Sequence, residues 1–285
     1  MVNQSIKPGL YLVASPIGNM EDCSDRMKRN LTGVNFIACE DTREMKKMLS
    51  ILGIERDKKN IITIHEHNES QMADKIIELI AQGNSVAYVS DAGMPAISDP
   101  GQILVDKVLD SNLFVTSIPG PSAVTTAFAL SGFRQSEFLF IGFFPRIKKD
   151  QDIALEQISQ SKWPVVCYES PKRISSTLSL LSKHVGPSRR AVICRELTKK
   201  FEQISRGTIS QLQDIFSGEV KGECVIVIES SQADSIGPDT TEIENALKVL
   251  KSSGVSSKDA VGSLSFITDM PKNKLKELFL NLPSS

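Results

Sequence analysis

From Leu10 onward, short apolar runs rich in β-branched residues alternate with longer stretches in which apolar positions recur every three or four residues. Residues 10–14, 34–39, 61–64, 85–89 and 113–117 predict strands, and 70–82 and 102–111 predict amphipathic helices between them. Alternation of this kind reads as βαβ units with a mostly parallel sheet, so the first 120 residues form one α/β layer structure. A second series follows, with strands at 138–142, 165–169, 190–194 and 224–229 and helices at 151–161, 171–183 and 210–216. Two α/β halves are the simplest reading, spanning 1–120 and 121–232.

The stretch SSQADSIGPDTT is polar, carries Gly237-Pro238, and reads as a linker. Beyond it, residues 242–252, 256–266 and 271–280 predict three short helices, the second capped by Ser256 with Asp259 and the third with Pro271 in its first turn. The spacing suggests a helix-turn-helix-like unit over 240–285. Its charge is close to balanced, so packing or dimer stabilisation competes with a nucleic-acid role.

Length and composition narrow the class further. The 285 residues exceed one typical domain, and 40 % apolar with 24 % charged residues is an ordinary globular composition. The densest apolar stretch, FLFIGFF, is far shorter than the roughly 20 residues a bilayer requires. The N-terminus MVNQSIKPGLYLVAS has no sustained apolar stretch of the secretory kind, and a cytoplasmic location is expected. Five well-separated cysteines, mostly inside apolar runs, fit reduced core thiols better than disulfides or a zinc site, and no metal is expected. The net charge of −1 hides an asymmetry: residues 134–200 carry +7 and the remainder −8. Such a basic stretch serves either as a local polyanion platform or as a solvated face.

Seventeen glycines include no pair two residues apart, so the dinucleotide fingerprint G-x-G-x-x-G is absent, and so is the P-loop motif. The predicted strand ends instead carry SPIGNMED, CEDTR, HEHNE, SDAGMPAISDPG and PGPSAV. In a parallel sheet all of these emerge on one edge, where open α/β sheets hold their ligands. Gly93 and Gly101 permit close backbone approach, Asp91 and Asp99 offer acceptors, and PGPS turns into a helix start whose free N–H groups suit a carboxylate. A small polar ligand with amino, carboxylate, sulfonium and ribose groups fits this mixture.

Together with FIGFFPR, YESPKRI and CRELTKKFE, these loops make an ordered set that resembles the tetrapyrrole-methylase-like (class III) S-adenosylmethionine methyltransferases, in the branch that methylates a cytidine ribose 2′-hydroxyl in small-subunit ribosomal RNA. The resemblance covers nearly the whole chain, including the trihelical segment. Corrin and porphyrin enzymes of the group carry G-x-G-x-G in the first loop and G-D-P after the fourth strand. Here Ser15-Pro16-Ile17-Gly18-Asn19 and Gly93-Met94-Pro95 stand in those places, which favours the RNA branch. Met94 stands where Thr is usual, and Lys172 where His is usual.

The resemblance implies a mostly parallel first sheet, a mixed second sheet, S-adenosylmethionine in the cleft between them, and a homodimer acting on RNA in the assembled small ribosomal subunit. Carried over, Asp91, Gly93, Ile97, Ser98 and Asp99 line the cofactor, with Ser122 and Ala123 behind it and Tyr168, Leu197 and Thr198 closing the cleft. Ile97 and Ala123 read equally well as core. For catalysis, Asp41 is the expected proton acceptor beside Glu40, with Arg43 holding a phosphate and Asn19 orienting the ribose. A plain helix start explains CEDTR as well, and His65 and His67 are rival bases. Arg146, Lys148, Lys149, Lys172 and Arg173 are candidate phosphate contacts. Two other functions stay open: methylation of a small molecule such as a tetrapyrrole, and a non-catalytic cofactor-sensing or RNA-binding module.

Overall fold

In the computed structural model, residues 6–55, 59–231, 240–268 and 270–282 are described. The first sheet contains β1 (Gly9–Val13), β2 (Phe36–Cys39), β3 (Asn60–Thr63), β4 (Ser85–Val89) and β5 (Val115–Ile118), in the order β3-β2-β4-β1-β5. Every pairing is parallel. Strand alternation sends Tyr11, Val13, Ile37 and Val89 to one face, under α1 (Asp25–Gly33) and α2 (Thr42–Ile51). Leu10, Ala38, Val86 and Tyr88 go to the other, under α3 (Glu69–Ala81) and α4 (Gln102–Asp110). Coverage on both faces is what a parallel sheet of near-continuous apolar strands requires.

The chain then leaves this sheet. α5 (Ala123–Ser131) packs on strands of the second sheet, which contains β6 (Leu139–Phe143), β7 (Val165–Glu169), β8 (Arg190–Arg195), β9 (Gln203–Thr208) and β10 (Cys224–Ile228) in the order β6-β7-β10-β8-β9. Only β6 and β7 run parallel; the other pairings are antiparallel, so the sheet is mixed. The outer face lies under α6 (Lys148–Gln160), α7 (Ile174–Val185) and α8 (Ile209–Ile215). On the inner face, Val166, Val192, Val225 and Val227 meet Val124 and Ala127 of α5 and Ile17 from the loop after β1.

β9 has no counterpart among the predicted strands. Its sequence QISRGT is polar and none of its residues is fully buried, because it forms the sheet edge with only β8 as a partner. An edge strand needs backbone pairing more than apolar side chains, so hydropathy gives no signal there.

The C-terminal unit contains α9 (Thr240–Ser252), α10 (Ser257–Ile267) and α11 (Lys272–Asn281), with a core of its own around Leu247, Ala260, Leu275 and Phe279. Ser256 caps α10 as expected, accepting from the Asp259 amide at 3.2 Å. Pro271 is the N-cap of α11, one position earlier than expected. Most of the predicted linker, residues 232–239, lies outside the described residues.

Candidate active site

A cavity of about 310 Å³ lies between the two sheets. One wall is made by the loops after β1, β4 and β5, and the other by the ends of β6, β7, β8 and β10. Seven of the proposed cofactor residues line it: Gly93, Ile97, Asp99, Ser122, Ala123, Tyr168 and Leu197. Asp91, Ser98 and Thr198 stand behind or beside that lining. Ile17, Met94, Phe143, Glu169 and Cys194, which lie in the sequence motifs without having been assigned to the cofactor, also face the cavity, as do Glu223 and Val225, which lie in none of them.

Parallel strands explain the first wall. β1 and β4 are neighbours, so their following loops emerge side by side, and the amides of Ser15 and Gly93 each donate to the other's carbonyl at 2.9 and 3.1 Å. The Ser15 hydroxyl donates to the Ser90 carbonyl at 3.0 Å and joins the two loops a second time. Among the described residues, four of the five non-glycine residues in the left-handed region lie in two loops that reach the cleft, the fifth being Asn112 in the turn after α4. Ala96 and Ser98 have φ of 67° and 59°, and Glu196 and Thr198, in the facing turn, have 52° and 65°. Strain concentrated on two facing loops marks backbone shaped for a ligand. The loops are also pressed together at Gly18, where a side-chain carbon would stand 2.8 Å from the Thr198 hydroxyl and collide with Lys199.

Electrostatics distinguish the acidic residues. Burial, reinforced by the Asp99 and Asp91 carboxylates, raises Glu40 to about 7. Burial and Asp91 raise Asp99 to about 6. Tyr168, which lines the same cavity as Asp99 from the other wall, reaches about 12 through burial and the charges of Asp99 and Glu223. Asp41 behaves in the opposite way: the Arg43 side chain donates to it at 2.9 and 3.3 Å and lowers it to about 2.

Asp41 and Arg43 are therefore occupied with each other. Asp41 is the N-cap of α2 and accepts from the Arg43 amide at 2.7 Å, so the helix-start reading of CEDTR describes this pair. A carboxylate held at about 2 is a poor proton acceptor near neutrality. Asn19 also caps, accepting from the Glu21 amide at 3.0 Å at the head of a short 3₁₀ turn.

The HEHNE loop splits in two. His65 and His67 form an exposed T-shaped pair, 6.1 Å between centroids, after the edge strand β3 and outside the cavity lining. Glu69 is buried, and its carboxylate accepts from the amides of Gly101 and Leu104 at 2.9 and 3.0 Å. It thereby satisfies the start of α4 and pins the far end of the SDAGMPAISDPG loop.

YESPKRI is similarly structural at two positions. Glu169, buried, accepts from the Ser170 amide at 2.7 Å and from the Thr177 hydroxyl. Arg173 lies 3.5 Å from Glu169 and donates to the carbonyls of Phe144 and Pro145 at 3.2 and 2.6 Å. Arg173 is thus committed inward, whereas Lys172, next to cavity-lining Pro171, and Arg146 and Lys149, which follow cavity-lining Phe143 in sequence, are exposed.

All five cysteines are free, and burial pushes Cys39 to about 12 and Cys194 and Cys224 to about 11. Thiols in such surroundings are unreactive packing groups. Among the described residues no helix is long and apolar enough to cross a membrane.

Residues 9–213 match the tetrapyrrole (corrin/porphyrin) methylase family, and the chain belongs to that family. A protein of Halalkalibacterium halodurans called ribosomal RNA small subunit methyltransferase I is 37 % identical, over 96 % of this chain and 95 % of its own length. Its namesake in Bacillus subtilis is 35 % identical, over 95 % and 93 %. Among solved structures, the methyltransferase CobJ superposes with a TM-score of 0.60 over 78 % of this chain and 94 % of its own, at 15 % identity. Diphthine synthase gives 0.59 over 78 % and 89 %, at 14 % identity. Likeness at those identities is a likeness of fold.

Proposed function

We propose that this chain transfers a methyl group from S-adenosylmethionine to the 2′-hydroxyl of a cytidine ribose in small-subunit ribosomal RNA. The observation that carries the reading is one cavity, bounded on one side by the strained 90–101 loop and on the other by the 196–199 turn, with Asp99 in its lining and Asp91 and Glu40 electrostatically coupled to Asp99. The names of relatives alike over nearly the whole chain supply the substrate class.

The residues present suit the cofactor. Ile17, Ala123, Leu197 and Val225 offer an apolar wall, and Asp99 offers acceptors for hydroxyl or cationic groups. α5 opens with Ser122 making no side-chain cap, which leaves its first amides for a carboxylate. The Thr198 hydroxyl is buried without a partner among the described residues, beside the same wall. Bound there, S-adenosylmethionine supplies an electrophilic methyl group on a sulfonium.

The chain's own work is to align the ribose hydroxyl and receive its proton. Glu40 is assigned the proton at its carboxylate in place of Asp41: it directly follows β2 at the same sheet edge, within reach of the charges of Asp91 and cavity-lining Asp99 that help raise it to about 7, whereas Asp41 is held by the Arg43 amide and side chain. Arg146, Lys149 and Lys172 position the RNA backbone without reading sequence. Selectivity for one cytidine then comes from the folded RNA of the assembled small subunit, met by a homodimer, with the functional units at 1–120, 121–232 and 240–285.

The test is label transfer from S-adenosylmethionine to small ribosomal subunits taken from a strain lacking this methylation. Label confined to one 2′-O-methylcytidine is the expected result. Transfer to a tetrapyrrole and none to subunits would overturn the assignment, and naked transcript labelled as fast as subunits would remove the role given to the assembled particle.

A further inference from the structure

Phe143 breaks the rule of its own strand. Along β6, Leu139 and Ile141 face the outer core under the helices, while Phe138 and Phe140 face the inner one. Continued alternation would bury Phe143 on the outer face and turn Phe144 toward the cleft. The reverse is observed: Phe144 is 1 % exposed in the outer core, and Phe143 is 59 % exposed and lines the cavity.

The cause is a bulge. Phe140 pairs with Val166 and Phe143 with Tyr168, so three steps on β6 match two on β7. The extra residue is absorbed at Gly142, whose φ of 70° suits glycine and whose open Cβ position faces the Ser98 hydroxyl of the cofactor-side loop at 3.4 Å. The inserted residue inverts parity and delivers an aromatic ring to the cleft. A T-shaped contact with Tyr168, 5.2 Å between centroids, supports that ring and leaves most of it to solvent.

Resting on the RNA reading of the site, we propose that Phe143 is the stacking platform for the target nucleobase, holding the cytosine ring so that its ribose lies in the cleft. A nucleotide whose ribose is drawn into a cleft loses the stacking neighbours of its base, and an aromatic side chain is the usual replacement for them. The deep wall around Ala123, Leu197 and Val225 is aliphatic, whereas Phe143 is exposed and followed within a few residues by the exposed cations Arg146 and Lys149. A planar base joined to phosphates matches that pairing of ring and charge better than the cofactor does.

The test compares full-length wild type with Phe143→Ala, Phe143→Leu and Phe143→Trp on unmethylated small ribosomal subunits, with S-adenosylmethionine affinity measured separately by calorimetry. The alanine and leucine variants should raise KM for subunits by about tenfold or more, the loss expected for one base–aromatic stack. The tryptophan variant should stay near wild type, and cofactor affinity should be the same in all four. An unchanged KM in Phe143→Ala overturns the proposal, as does an equal fall in cofactor affinity, which would seat the ring against adenine. A wild type that binds cofactor but methylates no subunits overturns the functional reading and the proposal with it, a result distinct from either.

Discussion

The two walls of the cleft are built by different rules. On the first, parallel strands all end at one edge, so each contributing residue sits in a contiguous loop that follows an apolar run. On the second, strands of both directions contribute, and Tyr168, Cys194 and Val225 come from within them, chosen by pleat parity. A parallel sheet therefore advertises its site in order along the chain, and a mixed sheet hides its site inside ordinary core strands. The acidic and strained loops sit mainly on the first wall, while the aromatic surface sits on the second.

The sharpest test falls beside the first wall, on Glu40 in the loop after β2, whose carboxylate feels the charges of Asp91 and Asp99. Glu40→Gln is expected to lower kcat by about 10²–10⁴-fold, the range for loss of a general base, with S-adenosylmethionine affinity retained. In wild type kcat should rise with pH through about 7 as Glu40 ionises, a rise absent from Glu40→Gln and kept by Asp41→Asn. Stability moves the other way. The folded chain holds a proton on Glu40 that the unfolded chain releases, so stability falls as pH rises from 4.5 to about 7. Denaturant melts across that interval check the sign, and a kcat flat in pH would remove Glu40 as base.

Breaking the second wall should cost stability. Glu169→Ala strands Arg173 and Thr177 and should lower unfolding free energy by about 3 kcal/mol in urea titrations. A smaller loss is expected on the first wall. Glu69→Ala leaves the Gly101 and Leu104 amides without their acceptor and should cost about 2 kcal/mol, with faster hydrogen exchange at those two amides. Gly93→Ala comes last: φ is 77°, yet the nearest atom to an added carbon is 3.5 Å away. Backbone strain of about 1 kcal/mol is expected, read as a small fall in melting temperature.

Much of this was legible beforehand because its causes are local. Apolar runs located nine of the ten strands among the described residues, since interior strands of covered sheets must be apolar, and polar β9 escaped for want of that pressure. The loops after β1, β4 and β5 could be named as a site because parallel topology needs no further information to bring them together. The partners of charged groups were not legible. Nothing in CEDTR tells whether Asp41 faces substrate or caps a helix; in the structure it caps α2 and pairs with Arg43.

The sequence by itself determined the α/β alternation, the ligand-gripping loops and the family resemblance, because each rests on residue types within a few positions of one another. Tertiary structure alone decided that Glu69 serves α4 across 35 residues, that Arg173 turns inward, and that one inserted residue at Gly142 exchanges the fates of Phe143 and Phe144. Those outcomes depend on the electrostatic field and the strand parity at a point in space, and neither exists until distant segments have packed.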